Sequence, residues 1–152
     1  MHIEINSQPV DDLLNRLIQS GQNMHPVMDA IGMELEKRVS DRFETKTDPI
    51  GNAWAPWKPS TVKSYPKDGN KRLLDRRGDL LGSLSYQSDG NSVFIGFGAV
   101  SDGNPPFPYP AAHELGTRNM ERRGMLMADP IAGTLGGDDE DAVLRLLNEH
   151  FG

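Results

Sequence analysis

The sequence predicts an α+β fold in which helices at the two ends of the chain flank a small antiparallel sheet. Three observations predict it. Apolar residues recur every three or four positions from Met24 to Phe43. Two β-rich runs, SLSYQS and SVFIGFG, are separated by the turn triplet Asp89-Gly90-Asn91. The acidic run Asp138 to Asp141 opens a further periodic stretch towards residue 150. A chain of 152 residues fits one domain spanning residues 1–152, and at this size folding buries roughly two thirds of the unfolded surface.

Residues 1–9 are polar apart from Ile3 and Ile5, which alternate with His2, Glu4 and Asn6 before Pro9. That pattern fits a short edge strand or a loose arm. Leu13, Leu14, Leu17 and Ile18 then fall at helical spacing, with Asp11 and Asp12 where carboxylates meet the positive end of the helix dipole, and Gly21 ends the helix. The long second helix carries Met24, Met28, Ile31, Leu35, Val39 and Phe43 on one face. Glu34, Glu36, Lys37, Arg38, Asp41 and Arg42 are assigned to the other. Pro26 suits its first turn. Gly32, in mid-helix, costs about 1 kcal/mol relative to alanine and reads as propensity overridden rather than as a close contact.

From residue 45 to 70 the pattern breaks into a long loop with four prolines and two glycines, and regular structure is limited to a turn of helix around Ser60 to Ser64. The loop carries both tryptophans, Trp54 and Trp57. A loop of this length in a small domain is usually functional or ordered by a partner, and tryptophan is enriched at the energetic centres of interfaces. A tryptophan packed in the home core is the competing reading. A short helix or turn follows around Leu73 to Leu81, then the hairpin, a Pro-rich loop, a helical turn in PAAHEL ended by Gly116, and a Gly-rich linker. The last helix presents Ala142, Val143, Leu146, Leu147 and His150 on one side.

Composition narrows the function. The net charge of −6 repels phosphate, so specific nucleic-acid binding is not the expected role. The absence of cysteine removes disulfides and thiolate metal sites. The N-terminus has neither the basic start nor the apolar run of a secretion signal, and nothing approaches the ~20 apolar residues of a membrane span. Catalytic templates fail in turn. His113-Glu114-Leu115-Gly116-Thr117 begins like the zinc-protease helix, but Thr117 stands where the second histidine is required. Gly96-Phe97-Gly98 lacks the third glycine of a dinucleotide loop, and Pro105 and Pro106 obstruct the helix that would follow. No Gly-x-x-x-x-Gly-Lys is present, and Gly82-Ser83-Leu84-Ser85 lacks the closing glycine of a nucleophile elbow. Glu34, Glu36 and Lys37 read as a solvated helix face. No cofactor, metal or small-molecule substrate is expected.

Two basic clusters stand out: Lys71, Arg72, Arg76 and Arg77 before the hairpin, and Arg118, Arg122 and Arg123 after it. They are solubilising charge, partners for carboxylates of a neighbouring subunit, or, against the net field, a DNA-facing patch.

An ordered series of short motifs runs through the chain. It comprises Arg42-Phe43, Asp48-Pro49-Ile50-Gly51-Asn52-Ala53-Trp54 with Pro56-Trp57 and Ser60-Thr61, Leu73-Leu74, Arg77-Gly78-Asp79-Leu80 with Ser83-Leu84, Val93 to Gly96, and Tyr109-Pro110-Ala111-Ala112-His113-Glu114-Leu115-Gly116-Thr117. In order and spacing it resembles the phage virion morphogenesis family, which includes Mu-like and P2-like tail completion proteins. The chain departs from the family after the late arginine, where members commonly carry an aromatic and this sequence has Arg123-Gly124-Met125-Leu126-Met127. The resemblance implies a non-enzymatic virion component, assembled in the bacterial host cytoplasm and acting in tail completion or head–tail joining. It implies a ring of identical subunits that contacts tail-tube and head or neck proteins. Candidate contact residues are Trp54, Trp57, Arg72, Arg76, Arg77, Tyr109, His113, Arg118, Arg122 and Arg123. Two alternatives are a DNA-binding accessory protein using the arginines and a small metal-dependent hydrolase built on His113, Glu114 and Asp79.

Overall fold

The structure, a computed structural model, describes residues 7–56, 79–90, 92–98, 109–118 and 121–151. Its elements are α1 (Gln8–Gln19), α2 (His25–Thr45), the single turn α3 (Asp79–Gly82), β1 (Leu84–Ser88), β2 (Val93–Phe97), α4 (Tyr109–Leu115) and α5 (Gly137–Phe151). These are helices around a two-stranded antiparallel sheet, the α+β class that the sequence predicts. Of the strand or arm expected at residues 1–9, residues 1–6 lie outside the described residues, and its end is corrected, since Ser7 caps α1 and Gln8 and Pro9 form its first turn. The helical turn at Ser60 to Ser64 and most of the turn at Leu73 to Leu81 also lie outside the described residues.

Each helix ends where its chemistry says. Ser7 caps α1, its hydroxyl accepting from the Val10 amide at 3.4 Å, and Gly21 takes a left-handed φ of 78° after the last turn. Pro26 occupies the first turn of α2, and Lys46 closes that helix in the left-handed region at φ 57°. The hairpin turn is tied by Asp89, which accepts from the Ser92 amide at 2.8 Å and the Ser92 hydroxyl at 3.0 Å.

Helix α2 is the spine. Both strands pack on it, α5 packs along it, and α1 packs on α5. The core falls into two clusters along α2. One gathers Val39, Phe43, Trp54, Leu80, Phe97 and Met125 to Met127. The other gathers Met24, Val27, Met28, Ile31, Leu35, Val143 and Leu147. Ile95 touches both and joins them. Each fully buried side chain of this size stabilises the fold by about 1.5–3 kcal/mol.

Three further local expectations are corrected. Gly32 is a contact site rather than a tolerated propensity defect: a β-carbon there would lie 2.7 Å from Tyr86 Cε2, 2.9 Å from Cγ and closer still to Cδ2. The missing side chain lets the Tyr86 ring lie flat on α2, and its hydroxyl donates to Asp29 at 2.9 Å. Gly32→Ala is therefore expected to destabilise, because overpacking costs about 1–3 kcal/mol against a propensity gain of about 1 kcal/mol. Urea denaturation checks it, and adding Tyr86→Ala should recover the propensity gain. The second correction is Arg42, which belongs to the buried side of α2 at 7% exposure and not to its solvent face. Third, the start of the long loop is ordered. Thr47 bridges Ala53, Asp48 Oδ1 accepts from Ile50 at 3.0 Å and Asn52 at 2.9 Å, and the Trp54 amide donates to the Lys46 carbonyl at 2.7 Å.

Candidate functional site

Four of the side chains that the sequence singles out, Trp54, His113, Arg122 and Arg123, converge on a segment with no regular structure, residues 122–127. Helix α4 approaches it from one side. Pro110 sits in the first turn of α4, where its missing N–H costs nothing, and Gly116 ends the helix at φ 76°. Between them His113 and Glu114 face inward.

Glu114 is completely buried, at 0% exposure. Its Oε2 accepts the amides of Met125 at 2.6 Å and Leu126 at 3.0 Å, and its Oε1 accepts that of Met127 at 2.9 Å. Three successive backbone donors surround one carboxylate. Arg122 closes the arrangement: Nε donates to the Glu114 carbonyl at 2.7 Å, Nη2 donates to the Met127 carbonyl at 2.6 Å, and Nη2 lies 3.7 Å from Glu114 Oε1. The cation beside the buried anion supplies the compensation that an isolated carboxylate would lack.

Two further side chains fasten the segment to the spine and to the ordered loop. Trp54, at 5% exposure, stacks edge-on against Phe43 with ring centroids 5.4 Å apart, and its indole N–H donates to the Gly124 carbonyl at 2.9 Å. Arg42 donates from Nη1 to the Met125 carbonyl at 2.8 Å and pairs through Nη2 with Asp139, itself 1% exposed in the first turn of α5. Arg38 extends the network, its Nη1 3.7 Å from Asp139 Oδ1 and its Nε donating to Glu34 Oε1 at 3.0 Å. Arg123 donates its amide to the His113 carbonyl at 2.8 Å and its guanidinium to the carbonyls of Ala55 at 2.9 Å and Pro56 at 3.0 Å. A loop that carries buried backbone polar groups needs a partner for each, and here side chains from α2, α4 and the Trp54 loop provide them.

Burial, then the nearby charge of Arg123, holds the His113 imidazole well below its ordinary value of 6.5, at about 4. It is neutral at pH 7. Because the folded value lies below the unfolded one, folding is favoured above pH 6.5, and that contribution is lost as pH falls towards 4. One proton taken up on unfolding gives a slope of up to about 1.4 kcal/mol per pH unit in this window. His113→Gln should flatten the stability-versus-pH curve between pH 6.5 and 4, read from urea midpoints.

The structure thus brings Trp54, His113, Arg122 and Arg123 together. It leaves Arg118 exposed, and Tyr109 starts α4. Trp57, Arg72, Arg76 and Arg77 lie outside the described residues. Arg42 and Asp139 join the site although the motifs do not point to them. Arg42 had a signal: it lies seven residues after Leu35, on the same helical stripe. Asp139 had none, being one acid in an acidic run.

This arrangement is a clasp. Both Glu114 oxygens already hold backbone amides, which leaves the carboxylate poorly placed to act on a substrate. Among the described residues no group of three or more His, Asp or Glu stands where it would hold a metal ion, and no helix is long and apolar enough to cross a membrane.

No curated protein and no solved structure matches the chain. The model of one family does, over residues 5–151. That span takes in every element described above, including the Asp48–Trp54 loop and the His113–Gly116 stretch whose order the sequence displays. The chain therefore belongs to the phage virion morphogenesis family and has a structural role in building the phage particle.

Proposed function

We propose that this protein acts in tail completion or head–tail joining as one subunit of an oligomeric ring, working through contact surfaces and without turning over a substrate. The observation that carries the reading is the family match across residues 5–151. The clasp supports it, because the acidic and basic side chains of the most enzyme-like motif are committed to holding backbone in place. Partners on this reading are further copies of the chain, the tail-tube protein and head or neck proteins. In a ring each subunit uses two different faces.

Light scattering on the purified protein, alone and with tail-tube protein, tests the proposal. A single closed multiple of the 16.8 kDa chain, formed alone or on addition of the tube protein, is the expected result. A monomer under both conditions opposes it. With Trp54 in the core, the interface role in the loop passes to Trp57. Trp57→Ala is expected to leave the circular dichroism and melting of the subunit unchanged and to abolish the assembled species. Loss of folded subunit would instead place Trp57 in the core.

A further inference from the structure

The tripeptide Asp-Pro-Ile occurs twice in the chain, at 48–50 and 129–131. Both copies fold into the same kind of turn. In the first, Asp48 Oδ1 accepts the amides of Ile50 at 3.0 Å and Asn52 at 2.9 Å, and the Asp48 carbonyl accepts that of Gly51 at 3.0 Å. In the second, Asp129 Oδ1 accepts the amides of Ile131 at 2.9 Å and Ala132 at 3.1 Å, and the Asp129 carbonyl accepts that of Gly133 at 2.8 Å. A glycine at positive φ lets each turn close, Gly51 at 90° and Gly133 at 75°. An isolated bridge ties each base, Thr47 to Ala53 and Asp129 to Thr134. The two turns also meet. A β-carbon on Gly136, just past the second, would lie 2.9 Å from the Pro49 carbonyl carbon and closer still to its oxygen. Pro49 is buried, whereas Ile50 is 59% exposed and Ile131 94%.

One exposed isoleucine is ordinary on a protein surface. Two of them, at the tips of adjoining turns that side-chain hydrogen bonds already fix, form an apolar contact with little left to order on association. The charge around them is negative, since Asp48, Asp129 and the exposed Asp138 outweigh the exposed Lys46. The C-terminal end of α4 has the reverse character. There Leu115 is 52% exposed, and Arg118 is exposed three residues on. Arg118, Arg122 and Arg123 outweigh Glu121 in this stretch. It is also held in place: Gly116 turns at φ 76°, where a β-carbon would lie 3.2 Å from the Arg122 amide nitrogen. Isoleucine beside aspartate on one surface and leucine beside arginine on another are complementary in apolar character and in charge, and opposite charge selects which surfaces meet. Every copy of the chain carries both surfaces, and contact between two different surfaces is the kind that closes a ring.

We propose that the two Asp-Pro-Ile turns of one subunit dock on the surface of Leu115 and Arg118 in the next copy, with Asp138 facing Arg118. This rests on the ring reading above and names its two faces. Light scattering of the full chain, alone and with tail-tube protein, tests it. Ile50→Asp/Ile131→Asp is expected to leave the circular dichroism and melting of the subunit unchanged and to weaken assembly by about tenfold or more, because carboxylates would have to be buried in the contact. Asp138→Arg and Arg118→Asp should each weaken assembly by about tenfold or more through like charges brought together. Combined in one chain, they again oppose each other across the contact and should restore it. Undiminished assembly of the isoleucine variant, or no recovery in the combined charge variant, overturns the docking while the ring stands. Intact self-assembly of the isoleucine variant with loss of tail-tube binding gives the turns to that partner and overturns it too. An unmodified chain that stays monomeric under both conditions overturns the docking and the ring together.

Discussion

Glu114→Ala is expected to lower the unfolding free energy by about 4 kcal/mol. The variant strips partners from three buried amides, those of Met125, Leu126 and Met127. Each orphaned donor costs about 1–3 kcal/mol, and water entering the vacated volume recovers part of it. A domain of this size is stable by about 5–15 kcal/mol, so the loss reaches a large fraction of the total. Glu114→Gln keeps one acceptor oxygen and should fall between the two. Urea unfolding followed by tryptophan fluorescence orders the three proteins, and equal midpoints for all three would be incompatible with the clasp.

Arg42→Met is the second large effect, at about 3 kcal/mol, because it removes the hydrogen-bonded cation from the buried Asp139 carboxylate and leaves it only Arg38, whose Nη1 lies 3.7 Å away. The Met125 carbonyl loses its donor at the same time. The double variant Arg42→Met/Asp139→Asn removes the poorly compensated charge and should recover more than half of the loss. Recovery in the double variant separates a charge effect from a packing effect, since a lost packing contact would add rather than cancel.

Local patterns in the sequence identified the spine and its neighbours. The 3.6-residue period of α2, the first-turn acid of α1, the Asp89 turn of the hairpin and the acidic start of α5 are each set by residues close in sequence. The clasp is not local. Arg42 meets Met125 and Asp139 across 83 and 97 positions, and Trp54 meets Gly124 across 70. No window of periodicity registers such pairs, so the spacing alone puts Arg42 on the solvent face of α2 and leaves Glu114 in an incomplete metal motif. Gly32 shows the same blindness: the residue that requires it, Tyr86, lies on another element. Motif order, unlike periodicity, does carry long-range information. Asp48–Trp54, Arg42-Phe43 and His113–Gly116 are the pieces the fold brings to residues 122–127, and they are also the pieces that carry the family resemblance.

The central claim is that Glu114 holds backbone rather than substrate or metal. Amide hydrogen exchange at Met125, Leu126 and Met127 tests it most directly. In the unmodified protein all three amides should exchange only through global unfolding, with no change on adding zinc or magnesium, and Glu114→Gln should release at least one of them to faster local exchange. Rapid exchange of these amides in the unmodified protein, or a metal-dependent change at Glu114, would contradict the account.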